Sequence, residues 1–101
     1  MEVTMNKYPT SDGHEFVKEK DAIEWQSALD YNASLATLEE PYGIGQFKLT
    51  LKHLTEIITL RKYLTYYLRF DIEQVEKIPI KLEQGDIVVL IDRSTKEVEV
   101  L

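Results

Sequence analysis

The chain has 101 residues, 44% hydrophobic and 30% charged, enough for one modest core and a single domain over residues 1–101. It has no cysteine, which excludes disulfides, thiol chemistry and cysteine-held zinc. The net charge is −6, and the excess sits early: residues 1–41 hold three Lys against nine Asp or Glu, while residues 42–101 hold nine Lys or Arg against nine Asp or Glu. Phosphate affinity comes from Lys and Arg releasing counterions, so a general nucleic-acid binder is disfavoured, although a basic patch in the neutral half stays open. No apolar run is long enough to span a bilayer, and residues 1–7 carry no basic segment followed by an apolar core. The expectation is a cytoplasmic protein with no membrane association, which the lack of cysteine suits.

Residues 2–17 read as an edge hairpin or a loosely held terminus. Val3 and Met5 alternate with polar neighbours, Tyr8 to Gly13 is dense in turn formers, and His14 to Val17 returns. Asp21-Ala22-Ile23-Glu24 resembles a capping box and places a helix over about 21–38, ended by Pro41 and Gly43. At about 100° per residue, Ala22, Trp25, Ala28, Leu29, Asn32, Ala33 and Ala36 share a face, with Trp25 as core anchor and Ser27 on the opposite side. Gly43-Ile44-Gly45 reads as a turn, since a dinucleotide cradle needs a third glycine and a helix directly after it. Phe47 to Leu51 alternates like a strand.

Residues 51–70 form the longest periodic segment, with Leu54, Ile57, Ile58, Leu60, Leu64 and Leu68 at helical spacing. A strand over the end of this stretch competes, because Leu64, Tyr66, Leu68 and Phe70 also alternate. A second capping-box pattern at Asp71 suggests a break and a one-turn restart. Beyond Pro79 the chain reads as an antiparallel meander over 78–101: residues 78–82, a central strand at 87–91 buried on both faces, and residues 98–101. The fold class is therefore α+β, a mostly antiparallel sheet of about four strands with two helices, about 21–38 and 51–70, on one face.

Two features of the second helix bear on function. Arg61 falls near the centre of its apolar arc, so the guanidinium must snorkel out past a small neighbour or be paired, either structurally with an acid such as Asp71 or as a buried anion-binding group. With His53 it is the candidate ligand-binding pair of a small-ligand or nucleotide-binding enzyme. The outward face collects Lys52, Lys62, Tyr63, Tyr66, Arg69 and Phe70, with Tyr63, Tyr66 and Phe70 as one continuous aromatic patch. Cations among aromatics suit a protein interface or single-stranded nucleic acid. His14 and His53 lack metal-ligand spacing and no serine has a nucleophile context, so no metal, cofactor or catalytic group is assigned. The leading expectation is a small non-enzymatic interaction or regulatory protein, of phage or viral type, that binds another protein, with a homodimer as the first partner. The alternatives are the Arg61/His53 enzyme and single-strand binding by the Tyr/Lys/Arg face.

Overall fold

The computed structural model describes residues 7–81 and 85–101. The chain opens with a short hairpin, β1 (Tyr8–Pro9) and β2 (Glu15–Phe16), then helix α1 (Glu19–Ser34) and a 3₁₀ turn over Ala36–Leu38. Strands β3 (Glu40–Gly43) and β4 (Gln46–Leu51) follow, then helix α2 (Leu54–Lys62), which runs on as a π-helical turn over Tyr63–Tyr67. One turn of helix, α3 (Ile72–Val75), precedes strands β5 (Ile87–Asp92) and β6 (Glu97–Val100). Apart from the hairpin, the strands make one antiparallel sheet in the order β3-β4-β5-β6. The fold is α+β, as the sequence implies.

Alternation decides which sheet face is covered. Phe47, Leu49 and Leu51 of β4, Val89 and Ile91 of β5, and Val98 of β6 are buried. They pack with Ala28, Tyr31 and Leu35 from the α1 side, and with Ile57, Leu60, Tyr63 and Leu64 of α2 and its π-turn. The intervening Lys48, Thr50, Val88 and Leu90 are only half-buried on the other face. β5 is thus covered on one face, not both. Its continuous aliphatic run reflects β-branched preference at half-exposed positions as well as burial.

The neighbour of β5 also differs from the expected meander. Leu49 of β4 pairs with Val89, and the register runs from Gln46↔Asp92 to Leu51↔Ile87. Residues 78–81 are not a strand: Ile78 is buried in the core while Ile80 is exposed. Pro79 lacks the N–H that a place between two strands demands. Leu82, like Val3 and Met5, lies outside the described residues.

Helix α1 begins at Glu19 with Lys18 at its N-cap, two residues before the expected Asp21 start, and ends before the 3₁₀ turn. Pro41 and Gly43 do not end it; they lie in β3. Its core face is Ser27, Ala28, Tyr31 and, just past its end, Leu35. At 100° per residue this is turned by roughly 130° from the face expected. Asn32 and Ala33 are exposed, and Ser27 satisfies its hydroxyl on the Glu24 carbonyl at 2.7 Å. The expected face has a different partner, the β1–β2 hairpin. Gln26 accepts from the Ser11 N–H at 2.8 Å, and Trp25 packs beside His14 and Phe16. A helix apolar on two sides yields one averaged direction in an angular count, and that direction misses the core.

The longest periodic segment is helical to Tyr67, which disposes of the competing strand, and residue 51 belongs to β4. The π-turn is closed by Leu68 N–H donating to the Tyr63 carbonyl at 3.0 Å. Arg69 then adopts a left-handed conformation, φ 61°, and Phe70 N–H donates to the Leu64 carbonyl at 2.8 Å. That closure turns Phe70 back into the core. The restart expected at Asp71 is present as α3, with Asp71 at its N-cap.

Candidate protein-interaction surface

The six residues of the expected outward face separate. Tyr63 is buried, its ring stacked on Tyr31 at 3.8 Å between centroids and 8° between planes. Phe70 is buried as well, so the expected continuous patch of Tyr63, Tyr66 and Phe70 does not exist; two of its three rings are core. The π-turn and the left-handed Arg69 break the helical spacing that the patch assumed. Arg69 is held by Glu24 of α1 at 2.6 Å. Lys52 lies between β4 and α2, in a cleft of about 370 Å³ that it shares with Glu40, Glu56 and Asp86. The three cations therefore do not line one surface, and each has carboxylates close by.

Lys62 and Tyr66 stay together. They form one wall of an open cleft of about 270 Å³ whose other wall is Ile23, Gln26, Ser27 and Asp30 of α1. Ile23 is 39% exposed and Tyr66 42%. Leu54 and Ile58, also exposed, precede Lys62 and Tyr66 at intervals of four, so a mainly apolar stripe runs along α2 into the cleft. Gln26 donates to Asp30 at 2.8 Å, which fixes the polar side of the α1 wall. The residues sequence reading missed are those of α1. Ile23 was legible as an aliphatic residue off the helix's expected apolar face, but its partner wall was not.

The proposed ligand pair is not brought together. His53 is the N-cap of α2, where Glu56 Oε1 accepts from the Lys52 and His53 N–H groups at 2.7 and 3.0 Å. Arg61 lies two turns on, about 12 Å along the axis. Its guanidinium donates through Nη1 to the Val75 and Ile78 carbonyls at 3.0 and 2.5 Å. The half-buried cation thus meets backbone carbonyls at the end of α3 and, among the described residues, not Asp71 or another carboxylate. These bonds tie α3 to α2, and Gln74 continues the tie by accepting from the Val98 N–H of β6 at 2.9 Å.

A further polar network lies elsewhere. The fully buried Tyr31 donates its hydroxyl to Glu39 Oε2 at 2.7 Å. Arg93, just past β5, donates two 3.0 Å bonds to the same carboxylate and lies 4.1 Å above the centre of the Phe47 ring. Burial alone pushes Glu39 up, but the Arg93 and Tyr31 hydrogen bonds outweigh it and hold the carboxyl below its ordinary value. Burial, reinforced by Glu39, pushes the Tyr31 hydroxyl up. Desolvation opposes the Arg93 charge, yet its bonds to Glu39, with Tyr63 close by, raise its pKa. This network joins α1, the 3₁₀ turn, the sheet and the π-turn, so it braces the helices that carry the cleft.

Among the described residues no group of three or more His, Cys, Asp or Glu could hold a metal ion, and no helix is long and apolar enough to cross a membrane. No protein-family model matches the chain, and neither a curated protein nor a solved structure shows significant similarity to it.

Proposed function

We propose that the protein is a small interaction module that acts by binding another protein, and that the Ile23–Tyr66 cleft with the Leu54–Ile58 stripe is its contact face. The observation that carries this reading is an exposed aliphatic and aromatic strip on two helices braced from beneath by the buried tyrosine network. Rigid aromatic and aliphatic anchors bind at low entropic cost, and one lysine beside them supplies orientation. The first partner we assign is a second copy of the chain, because the same apolar strip presented by two copies can close about a twofold axis. A regulatory protein of the phage or viral type, acting in a reducing interior, fits the cysteine-free acidic composition.

Sedimentation equilibrium tests this directly. The wild type is expected at twice the chain mass and Tyr66→Glu at the chain mass with an unchanged circular dichroism spectrum, because the contact would desolvate a carboxylate. If the wild type is already monomeric, a photo-crosslinking residue at Ile58 should capture one discrete partner, lost in Tyr66→Glu. A dimer that survives Tyr66→Glu, or a monomer that captures nothing, defeats the reading.

A further inference from the structure

On the opposite flank of α1 lies a second open cleft, of about 380 Å³, lined by Phe16 of β2, Asp21, Glu24 and Trp25 of α1, and Tyr67 of the π-turn. Three aromatic side chains from three elements and two carboxylates meet there. Trp25 is 37% exposed and Tyr67 42%. Neither ring is loose. Trp25 Nε1 donates to Asp12 Oδ2 at 2.8 Å, and the Phe16 and Trp25 rings meet at 6.3 Å and 48°, forming a corner. Tyr67 stacks on Tyr63 at 5.4 Å and 14°, which covers one face of its ring. The anchoring uses the polar edge of the indole, its contacts with the His14 and Phe16 rings and one tyrosine face, and the remaining exposed ring surface lies along the cleft.

Aromatic surface beside carboxylates favours a cation, since the ring quadrupole is negative at its face. The amide dipoles at the start of α1 oppose a cation, and Asp21 and Glu24 offset them. Glu24 is neutralised by Arg69, so Asp21 is the carboxylate left for a ligand: among the described residues it has no ion-pair partner. Four of the five lining residues come from the stretch of sequence, residues 1–41, that carries the whole −6 excess of the chain. We propose that this cleft binds a cationic side chain, lysine or arginine, presented by a partner protein. The proposal is independent of the Ile23–Tyr66 face.

Trp25 is the one tryptophan of the chain, so its emission reports on this cleft and the hairpin that packs beside it. The probe is a short capped Gly/Ser peptide with three lysines, titrated into the full chain at fixed ionic strength. A matching peptide with norleucine at the three positions serves as control. We expect a saturable change in Trp25 emission with the lysine peptide and none with the norleucine peptide. Tyr67→Leu should weaken binding about fivefold, the size of one exposed cation–π contact, and Tyr67→Phe should retain it. Asp21→Asn should weaken it as well. Melting curves confirm that the variants fold, and residue 67 is exposed enough to tolerate both changes. Equal response to the norleucine peptide, no saturable change, or equal affinity in Tyr67→Leu and Tyr67→Phe would each overturn the proposal.

Discussion

Two carboxylates organise this molecule, and they do so at different depths. Glu39 accepts from Tyr31 and Arg93 beneath the sheet-facing helices, where the tyrosine is wholly buried. Asp12 accepts from Thr10 Oγ1 at 2.5 Å, from Trp25 Nε1 at 2.8 Å and from the His14 N–H at 3.2 Å, with His14 Nδ1 a further 2.9 Å away, in the exposed hairpin. The chemistry is similar and the energetic weight is not. Water competes for most of the bonds Asp12 makes and for the two from Arg93, while the Tyr31–Glu39 bond, made by a fully buried tyrosine, replaces water that burial has removed. The difference teaches that the hairpin is fastened to α1 as an attachment, whereas the tyrosine network belongs to the cooperative core.

The comparison can be tested from its deep side first. Tyr31→Ala removes a fully buried ring and its stack on Tyr63, and about 3–5 kcal/mol of stability should go with it, read as a drop in the denaturant midpoint. A loss below about 1 kcal/mol would mean that Glu39 and its partners are peripheral. Arg93→Ala should cost less, about 2 kcal/mol, since the arginine is part-exposed and the change leaves Glu39 with Tyr31 as its remaining donor. The double variant Arg93→Ala/Glu39→Gln should recover part of that loss, because no buried charge is then left unpaired.

The smallest effects belong to the hairpin. Asp12→Asn should lower the melting temperature less than Arg93→Ala does and shift Trp25 emission, because the indole N–H loses a charged acceptor. Acid sharpens the contrast. The Thr10 and Trp25 hydrogen bonds, with those from His14, outweigh burial and hold Asp12 far below its ordinary value of 3.8, and Glu39 lies below its ordinary 4.5. A carboxyl depressed in the folded state stabilises fully above its unfolded value and loses that contribution as pH falls through its folded value. Stability should therefore decline as pH falls below about 4, with Trp25 emission following the hairpin and far-ultraviolet circular dichroism following the core. Coincident transitions in both signals would show that the hairpin is part of the core after all.

The sequence by itself determined the fold class, because alternation in residues 47–51, the continuous aliphatic run of residues 87–91 and helical spacing in residues 54–64 are local properties of the chain. It also determined the break at Asp71, where a capping pattern follows directly on the end of a helix. Only the tertiary structure decided which strand lies beside β5, since Phe47 to Leu51 and residues 78–82 both offered alternation and the pairing joins segments some forty residues apart. It decided which flank of α1 meets the core, because the hairpin draws a second apolar face out of the same helix. It also placed Tyr63 and Phe70 inside and left Tyr66 and Tyr67 outside. Tyr63 follows Ile57 and Leu60 at ordinary helical spacing on an arc that leaves Leu54 and Ile58 exposed. Beyond it a π-turn and one left-handed residue, Arg69, shift the register by amounts that a count of 100° per residue does not contain. The Tyr31–Glu39–Arg93 network was hidden for the same physical reason. Its members are separated by up to sixty-two positions, and hydrogen bonding between them depends on where packing brings the chain, not on the spacing along it.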